Sequence, residues 1–382
     1  MSTPLPRSEF AVTRDYVYLN HASAGVLPLS SVRAIESFVR RHAQAGVLGT
    51  FAHDLRMPEY RERIGRFIGA SGTEIALLAN TSAAAATIAG GIEWKPGDEV
   101  LLCDNEFPAN SVPWLALRRR GVSVRLLPTA PERLTPEVLR REISRRTRLV
   151  TVSWVSYADG YRHDLKTLAE VAHAAGVWFC VDAIQALGVF PIDVVETGVD
   201  ALFSGAAKWM LGVHGVALLY LSPAFGERLD LAMPGWRSVR DMWDFHNYEQ
   251  PFSNDAMRFE SGTPNLIGAL SLVGASELFA QAGQAAIASH VLHLTDRLCE
   301  GLARIGADLA TLRGEGISSG IVTFTLPGCD SVALGRALER EGIVTTYRQS
   351  GIRVSPHGYN TTVEIDGVLE KVANLSRAGT LV

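Results

Sequence analysis

The stretch RLVTVSWVSYADGYRHDLKTLAEVAHAAGVWFCVDA, residues 148–183, opens and closes on apolar, β-branched runs and changes rhythm between them. RLVTVSWV (148–155) and VWFCVDA (177–183) are short and almost free of charge, the pattern of strands buried on both faces. Between them DLKTLAEVAHAAG puts Leu165, Leu168, Val171 and Ala175 on one helical face and stops at Gly176. Two buried strands joined by an amphipathic helix make a βαβ unit, so the stretch predicts a mostly parallel sheet covered by helices, an α/β fold.

The same alternation runs outward. EVLLCD (99–104), VSVRLL (122–127), VDALFS (199–204) and GVALLYL (215–221) read as further buried strands. After about residue 255 the order changes to long helical stretches (265–283 and 291–306), then GIVTFTL (320–326), a helix over 330–342, the strands IVTTY and IRVSP, and a last helix from Val363. That is α+β grammar, consistent with a second, smaller domain built mainly from the C-terminal third. The chain shows no internal repeat and no low-complexity linker.

Composition narrows the function. With 382 residues, 47% hydrophobic and 20% charged, the chain can bury a large core. A net charge of -4 gives no electrostatic footprint for nucleic acid, and the basic run Arg118–Arg120 reads as the positive end of a helix. No apolar run approaches the roughly 18 residues needed to span a bilayer, and the N-terminal residues have no signal-peptide core, so the expectation is a cytoplasmic protein without membrane partners. Cys103, Cys180, Cys299 and Cys329 are scattered, which argues against a disulfide framework and against a zinc site.

One residue stands out. In DALFSGAAKWMLGVHGVALLYL, residues 200–221, Lys208 is alone among small and apolar neighbours. Desolvation lowers an ammonium pKa and leaves more of the nucleophilic amine, which suits a Schiff-base lysine. A lysine threading its stem past the core to reach water accounts for the same pattern. Asp182 closes a predicted buried strand, where open α/β sheets bind ligands, although it also suits a cap for the turn that follows. Together, a carboxylate that keeps a pyridine nitrogen protonated and a lysine that forms an imine are the two groups pyridoxal phosphate chemistry asks of a protein.

The order of YLNHASAG (18–25), ANTSAAAATIAGGIEWKPGDEVLL (79–102), NEFPANSVPW (105–114), VDAIQALG (181–188), SGAAKWMLG (204–212), RFESGTPN (258–265) and GIRVSPHGYNT (351–361) resembles the class V aminotransferase family of fold-type I pyridoxal phosphate enzymes, which includes cysteine desulfurases and isopenicillin N epimerase-like members. The resemblance implies a large cofactor-binding domain over residues 16–255 with a mainly parallel seven-stranded sheet, and a smaller α+β domain from 1–15 and 256–382. It implies Lys208 as the covalent anchor of pyridoxal 5'-phosphate, Asp182 against the pyridinium nitrogen, and Gln185 on the phenolic oxygen.

For the phosphate, NTSAAAATIAGG reads as a turn into a helix with Ser82 as N-cap and open N–H groups at Ala83 and Ala84. Ser204 stands four positions before Lys208 where relatives more often have three, and Ala207 replaces a common histidine. By resemblance Thr263 reaches the phosphate of a neighbouring subunit, which implies a homodimer with shared active sites. Phe107 matches the residue lying over the cofactor ring, where many desulfurases have histidine; a phenyl face stacks but moves no proton. Arg353 matches the arginine that binds the substrate carboxylate. Asn20 and His21 are expected at the substrate's side, and Trp236 and Arg237 are candidates for the side-chain pocket.

The sequence leaves the reaction open. VTTYRQSGIRVSP (344–356) holds no cysteine, so persulfide-forming desulfuration is disfavoured. Transamination leads, with a C–S lyase or an epimerase as alternatives and a cofactor-binding regulator disfavoured. An epimerase wants a second acid, for which His21, His357 and Tyr359 are the candidates.

Overall fold

The computed structural model describes residues 3–377. Its largest sheet has seven strands in the order Ile75–Leu78, Ala217–Leu221, Ala201–Gly205, Trp178–Asp182, Thr147–Ser153, Glu99–Cys103 and Ser123–Leu127. The last five are mutually parallel. Ala217–Leu221 alone is reversed, antiparallel to both of its neighbours. The six strands read from sequence all appear within a few residues of their expected bounds, and the seventh, Ile75–Leu78, is too short for its periodicity to stand out.

The βαβ unit forms as its pattern demands. Asp164 caps the helix Leu165–Ala174, accepting from the Thr167 N–H, and Gly176 closes it at φ 71°. Leu165, Leu168 and Val171 are buried, but Ala175 is the exposed C-cap, and Ala172 takes its expected place in the core. Along each strand side chains alternate between two cores. Val150, Val152, Val181 and Leu202 face one, under the helices Leu165–Ala174 and Leu266–Ala282. Leu149, Cys180 and Phe203 face the other, with Ala84, Ala85 and Ile88 of the helix Thr81–Gly91.

A third core joins Leu19 to Phe324, Leu334, Ile352 and Ile365, beneath an antiparallel sheet ordered Thr346–Arg348, Gly351–Val354, Val322–Thr325, Asp308–Leu309. The helix Gln284–Arg304 bridges cores, with Ile287 and Val291 in the first and Leu294, Leu298 and Leu302 in the third. Two pairings bring the N-terminal segment to this unit: Val17–Tyr18 lies parallel to Ile343–Val344, and Asn20 bridges Ser355. The loop 258–265 is fixed by a buried bidentate pair, in which Arg61 donates to both Glu260 oxygens at 2.8 and 2.7 Å while the Leu77 N–H also reaches Glu260. Among the described residues no single helix is long and apolar enough to cross a membrane.

Candidate active site

At the carboxyl end of Ala201–Gly205 the chain turns tightly. The Gly212 N–H returns to the Ala206 carbonyl at 2.8 Å and the Leu211 N–H to the Lys208 carbonyl at 3.0 Å, with Leu211 at φ 52°, uncommon for a branched residue. Trp209, Met210 and Leu211 are buried and anchor the turn. Two glycines let other backbones press against it. A Cβ on Gly25 would sit 2.0 Å from the Lys208 carbonyl oxygen, and one on Gly188, at φ 106°, 2.1 Å from that of Trp209. The turn leaves the Lys208 amine 5.3 Å from the centre of the Phe107 ring. Burial pushes its pKa down to about 8; the field of Arg353 acts the same way and that of Asp182 opposes it.

Asp182 ends the neighbouring strand and is 1% exposed. One carboxylate oxygen accepts from the Ile184 N–H at 2.9 Å, while the other is buried with no partner among the described residues. Burial raises this carboxyl to about 6 against the pull of the Ile184 N–H and of Lys208. Gln185, also buried, donates to the Ala22 carbonyl at 3.0 Å and accepts from the Trp209 indole at 2.8 Å, so one amide hydrogen remains uncommitted.

A second carboxylate, the half-buried Glu106, was not singled out from the sequence. Glu106 accepts from the Ser153 N–H at 2.7 Å, from the Ser153 hydroxyl and from Asn110 at 2.9 Å, and Ser153 lies opposite Asp182 in the sheet. Burial lifts its pKa to about 7, with Asp182 adding to the rise. Asn110 in turn accepts from Trp114 and Thr151, so Glu106 pins the loop that presents Phe107. Phe107 stays 39% exposed, edge-on to Tyr157 with ring centres 5.2 Å apart. The signal in the sequence was a charged residue inside a motif otherwise made of apolar and amide side chains.

The helix Thr81–Gly91 starts earlier than expected. Its cap is Asn80, not Ser82: the Asn80 side chain accepts from the Ala83 N–H at 2.9 Å and its carbonyl from the Ala84 N–H at 3.1 Å. The N–H groups expected to be open are therefore taken, and those of Thr81 and Ser82 are the ones without an acceptor one turn back. Asn80 wins because an N-cap side chain reaches the N–H three residues on, which places Ser82 inside the first turn and exposes it. Thr81 is buried and its hydroxyl accepts from the Gly205 N–H at 3.1 Å. Ser204 is fully buried, its hydroxyl directed to the Gly205 carbonyl, and Thr263 is exposed.

From the other side comes Arg353, in the strand Gly351–Val354. It donates to the Tyr157 carbonyl at 2.9 Å and to the Ser23 hydroxyl at 2.8 Å, and its Nε is buried without a partner among the described residues. Ser23 and Asn20 both bond the Thr346 hydroxyl, at 2.7 and 2.6 Å, so Asn20 reaches Arg353 through a hydroxyl chain. Arg353 and Arg348 line a cavity of about 310 Å³ with Tyr157, Thr323 and Ser350. Burial, with Arg348 nearby, lowers the Arg353 pKa to about 10.

His21 does not face this cavity. It is fully buried, its Nδ1 paired with the Ser355 carbonyl and its Nε2 with the Tyr359 hydroxyl, both at 2.9 Å. His357 is equally enclosed between the Gly358 N–H and the Trp209 carbonyl, and Tyr359 stacks on Phe10 at 4.0 Å. An aromatic cluster of Trp209, His21, His357 and Tyr359 has drawn these groups inward, and burial holds both histidines neutral. Arg237 is buried on Asp54 at 3.0 Å, while Trp236 stays 42% exposed beside Trp243 and Phe245.

The family model described as aminotransferase class-V matches residues 17–368, nearly the whole chain. The chain belongs to the class-V aminotransferase family. It is 30% identical to a probable cysteine desulfurase of Methanothermobacter thermautotrophicus, over 98% of this chain and 99% of that protein. Against the isopenicillin N epimerase of Streptomyces clavuligerus it is 28% identical over 97% of each. Its fold follows that of an apo cysteine desulfurase from Thermococcus onnurineus, with a TM-score of 0.89 at 23% identity, covering 99% of this chain and all of that one. As a class-V aminotransferase it is a pyridoxal phosphate enzyme. The donor set fits that cofactor, because Asp182 keeps a buried, unpartnered carboxylate oxygen beside a partly desolvated amine.

The fields at Lys208 have a measurable signature. In cofactor-free protein, acylation of Lys208 at graded pH should show a midpoint near the value of about 8, well below the ordinary lysine value of 10.5. Asp182→Asn removes an anion that holds the proton and should move the midpoint lower, whereas Arg353→Ala removes a repelling cation and should move it higher. A midpoint near 10.5, or a rise in Asp182→Asn, contradicts this electrostatic account.

Proposed function

We propose that this class-V enzyme transaminates an amino acid, with Lys208 as covalent anchor and proton carrier. Bound pyridoxal phosphate supplies an electron-withdrawing ring that acidifies the Cα–H of an amino acid joined to it. Asp182 would hold the ring nitrogen protonated through its unpartnered oxygen, and Gln185 would give its uncommitted N–H to the phenolic oxygen. The first turn of the helix Thr81–Gly91, with the N–H groups of Thr81 and Ser82 and the Ser82 hydroxyl, takes the phosphate; Ala83 lines that turn, and Ser204, enclosed in its strand, contributes support rather than a contact. Phe107 covers the ring and excludes water from that face.

Arg353 fixes the substrate carboxylate. Its hydrogen bonds to Tyr157 and through Ser23 and Thr346 to Asn20 orient the guanidinium before substrate arrives. Lys208 would take up the Cα proton and hold it for return, a role that an amine with a pKa of about 8 suits near neutral pH.

The observation that carries this reading is that the acids the sequence offers for a second proton transfer are all engaged elsewhere. Phe107 has no exchangeable proton, and His21, His357 and Tyr359 are locked in the aromatic cluster. None of these three can then serve an epimerase as its second acid. Persulfide formation lacks a thiol, because Cys103, Cys180 and Cys299 are buried and Cys329 lies outside the hairpin that carries Arg353. Mixing the holoenzyme with substrate amino acid and no acceptor keto acid should convert the cofactor stoichiometrically to its pyridoxamine form and stop. Continued release of ammonia with pyruvate or sulfide overturns transamination in favour of elimination, for which Lys208 alone also suffices.

The chain also acts as a homodimer in this reading, with Thr263 reaching the phosphate site of the partner. Phe51, Trp236, Trp243 and Phe245 form an exposed aromatic patch, with Phe51 and Trp243 ring centres 5.5 Å apart, and a monomer rarely leaves such a surface uncovered. Sedimentation at micromolar concentration should give twice the chain mass, and Trp243→Glu should shift it toward the monomer. A monomeric wild-type protein contradicts the shared site.

A further inference from the structure

Away from the site just described, a cleft of about 430 Å³ opens between the helix Leu165–Ala174 and the segment 315–317, lined among others by Trp154, Tyr161, Arg162, Leu165, Pro191 and Ile192. Its volume lies in the range of small-molecule sites, roughly 300–1,000 Å³. None of Lys208, Asp182, Phe107 or Arg353 touches it.

Of the two cations lining this cleft Lys166 is exposed, whereas Arg162 is part-buried and has no counter-ion among the described residues. Arg162 lies with its guanidinium 4.4 Å over the Phe190 ring, and its Nε is buried with no acceptor among the described residues. The acids nearby are committed elsewhere. Asp159 pairs with Arg133, Asp296 with Arg313, and Asp164 caps its helix through Thr167. Glu315, on the rim, is exposed. Of the charged groups acting on Arg162 only Arg313 is felt, and it repels. A half-desolvated guanidinium without an anion is costly, and its planar edge matches a carboxylate through two parallel hydrogen bonds. His163, beside it, is neutral, its Nδ1 engaged by the Ser153 carbonyl at 2.9 Å, so it does not compete for an anion.

The remaining walls fix the rest of the ligand. Trp154, Leu165, Leu168, Pro191 and Ile192 offer apolar surface, and the other cation of the lining, Lys166, is exposed, which suits an uncharged, flat or branched body beside the part-buried Arg162 better than a phosphate. We infer that this cleft binds a small organic monocarboxylate with an apolar body, its carboxylate on Arg162 and its body against Trp154 and Ile192. The cleft lies one step from the catalytic strand ends, since the Trp154 N–H bonds the Asp182 carbonyl at 2.8 Å and the His163 N–H the Trp154 carbonyl at 2.9 Å.

The test uses the holoenzyme and 4-fluorophenylacetate as probe, followed by fluorine NMR. Saturable binding is expected, weakened about tenfold or more in Arg162→Gln, as loss of a charge-assisted pair requires. Binding should persist in Arg353→Ala, which separates this cleft from the active site, and in Arg162→Lys it should be intermediate. The neutral 4-fluorophenylacetamide should bind at least tenfold more weakly. Unchanged thermal melting of Arg162→Gln establishes that the variant is folded. Equal binding of acid and amide, probe binding that is lost in Arg353→Ala but kept in Arg162→Gln, displacement by inorganic phosphate at lower concentration than by the probe itself, or no saturable binding overturns the inference.

Discussion

A carboxylate sealed at the end of a strand, with one oxygen unpartnered, is the constraint on which the site turns. Asp182 is 1% exposed and has a single N–H for support. Left alone, such a group costs several kcal/mol or takes up a proton, and its pKa of about 6 records that tension. The nearest relief is Lys208, itself stripped of much of its water. A protonated pyridine held between them, as proposed, would satisfy the carboxylate and occupy the amine, so one ligand would answer both desolvated groups. The fold makes this economical, since parallel strands deliver their carboxyl ends to a common edge: here Ser153 pairs with Asp182, and Asp182 with Phe203, two residues before the next strand ends at Gly205.

Around that pair the protein is arranged to limit proton traffic. Glu106 adds a third titrating group near neutrality, and its hydrogen bonds to Ser153 and Asn110 tie the Phe107 loop to the strand beside Asp182. The histidines that the sequence offers as acids are consumed by packing. Relatives on the same scaffold are named for desulfuration or epimerisation, so the family alone does not select the reaction.

The parts of the fold written in hydrophobic period were legible in the sequence. The βαβ unit, five parallel strands and the reversed one, and the C-terminal α+β unit follow from local pattern. Ile75–Leu78 was hidden because it has four residues and no alternation. At the site, Lys208 was marked by its charge in an apolar run, Asp182 by its place at a strand end and Arg353 by resemblance, and they do converge: each of the other two acts on the Lys208 amine. Cap identity was missed because Asn80 and Ser82 are both good N-caps, and only the reach to the Ala83 N–H separates them. His21 was misplaced because its burial depends on Tyr359 and His357, far along the chain, where no local pattern reports the contact.

The central claim is that the amine facing Asp182 is the cofactor's covalent anchor. Reduction of the holoenzyme with borohydride, digestion and peptide mapping tests it directly. The account predicts the reduced pyridoxyl group on the peptide containing Lys208. The same label on Lys95, Lys166 or Lys371, the chain's other lysines, would contradict it.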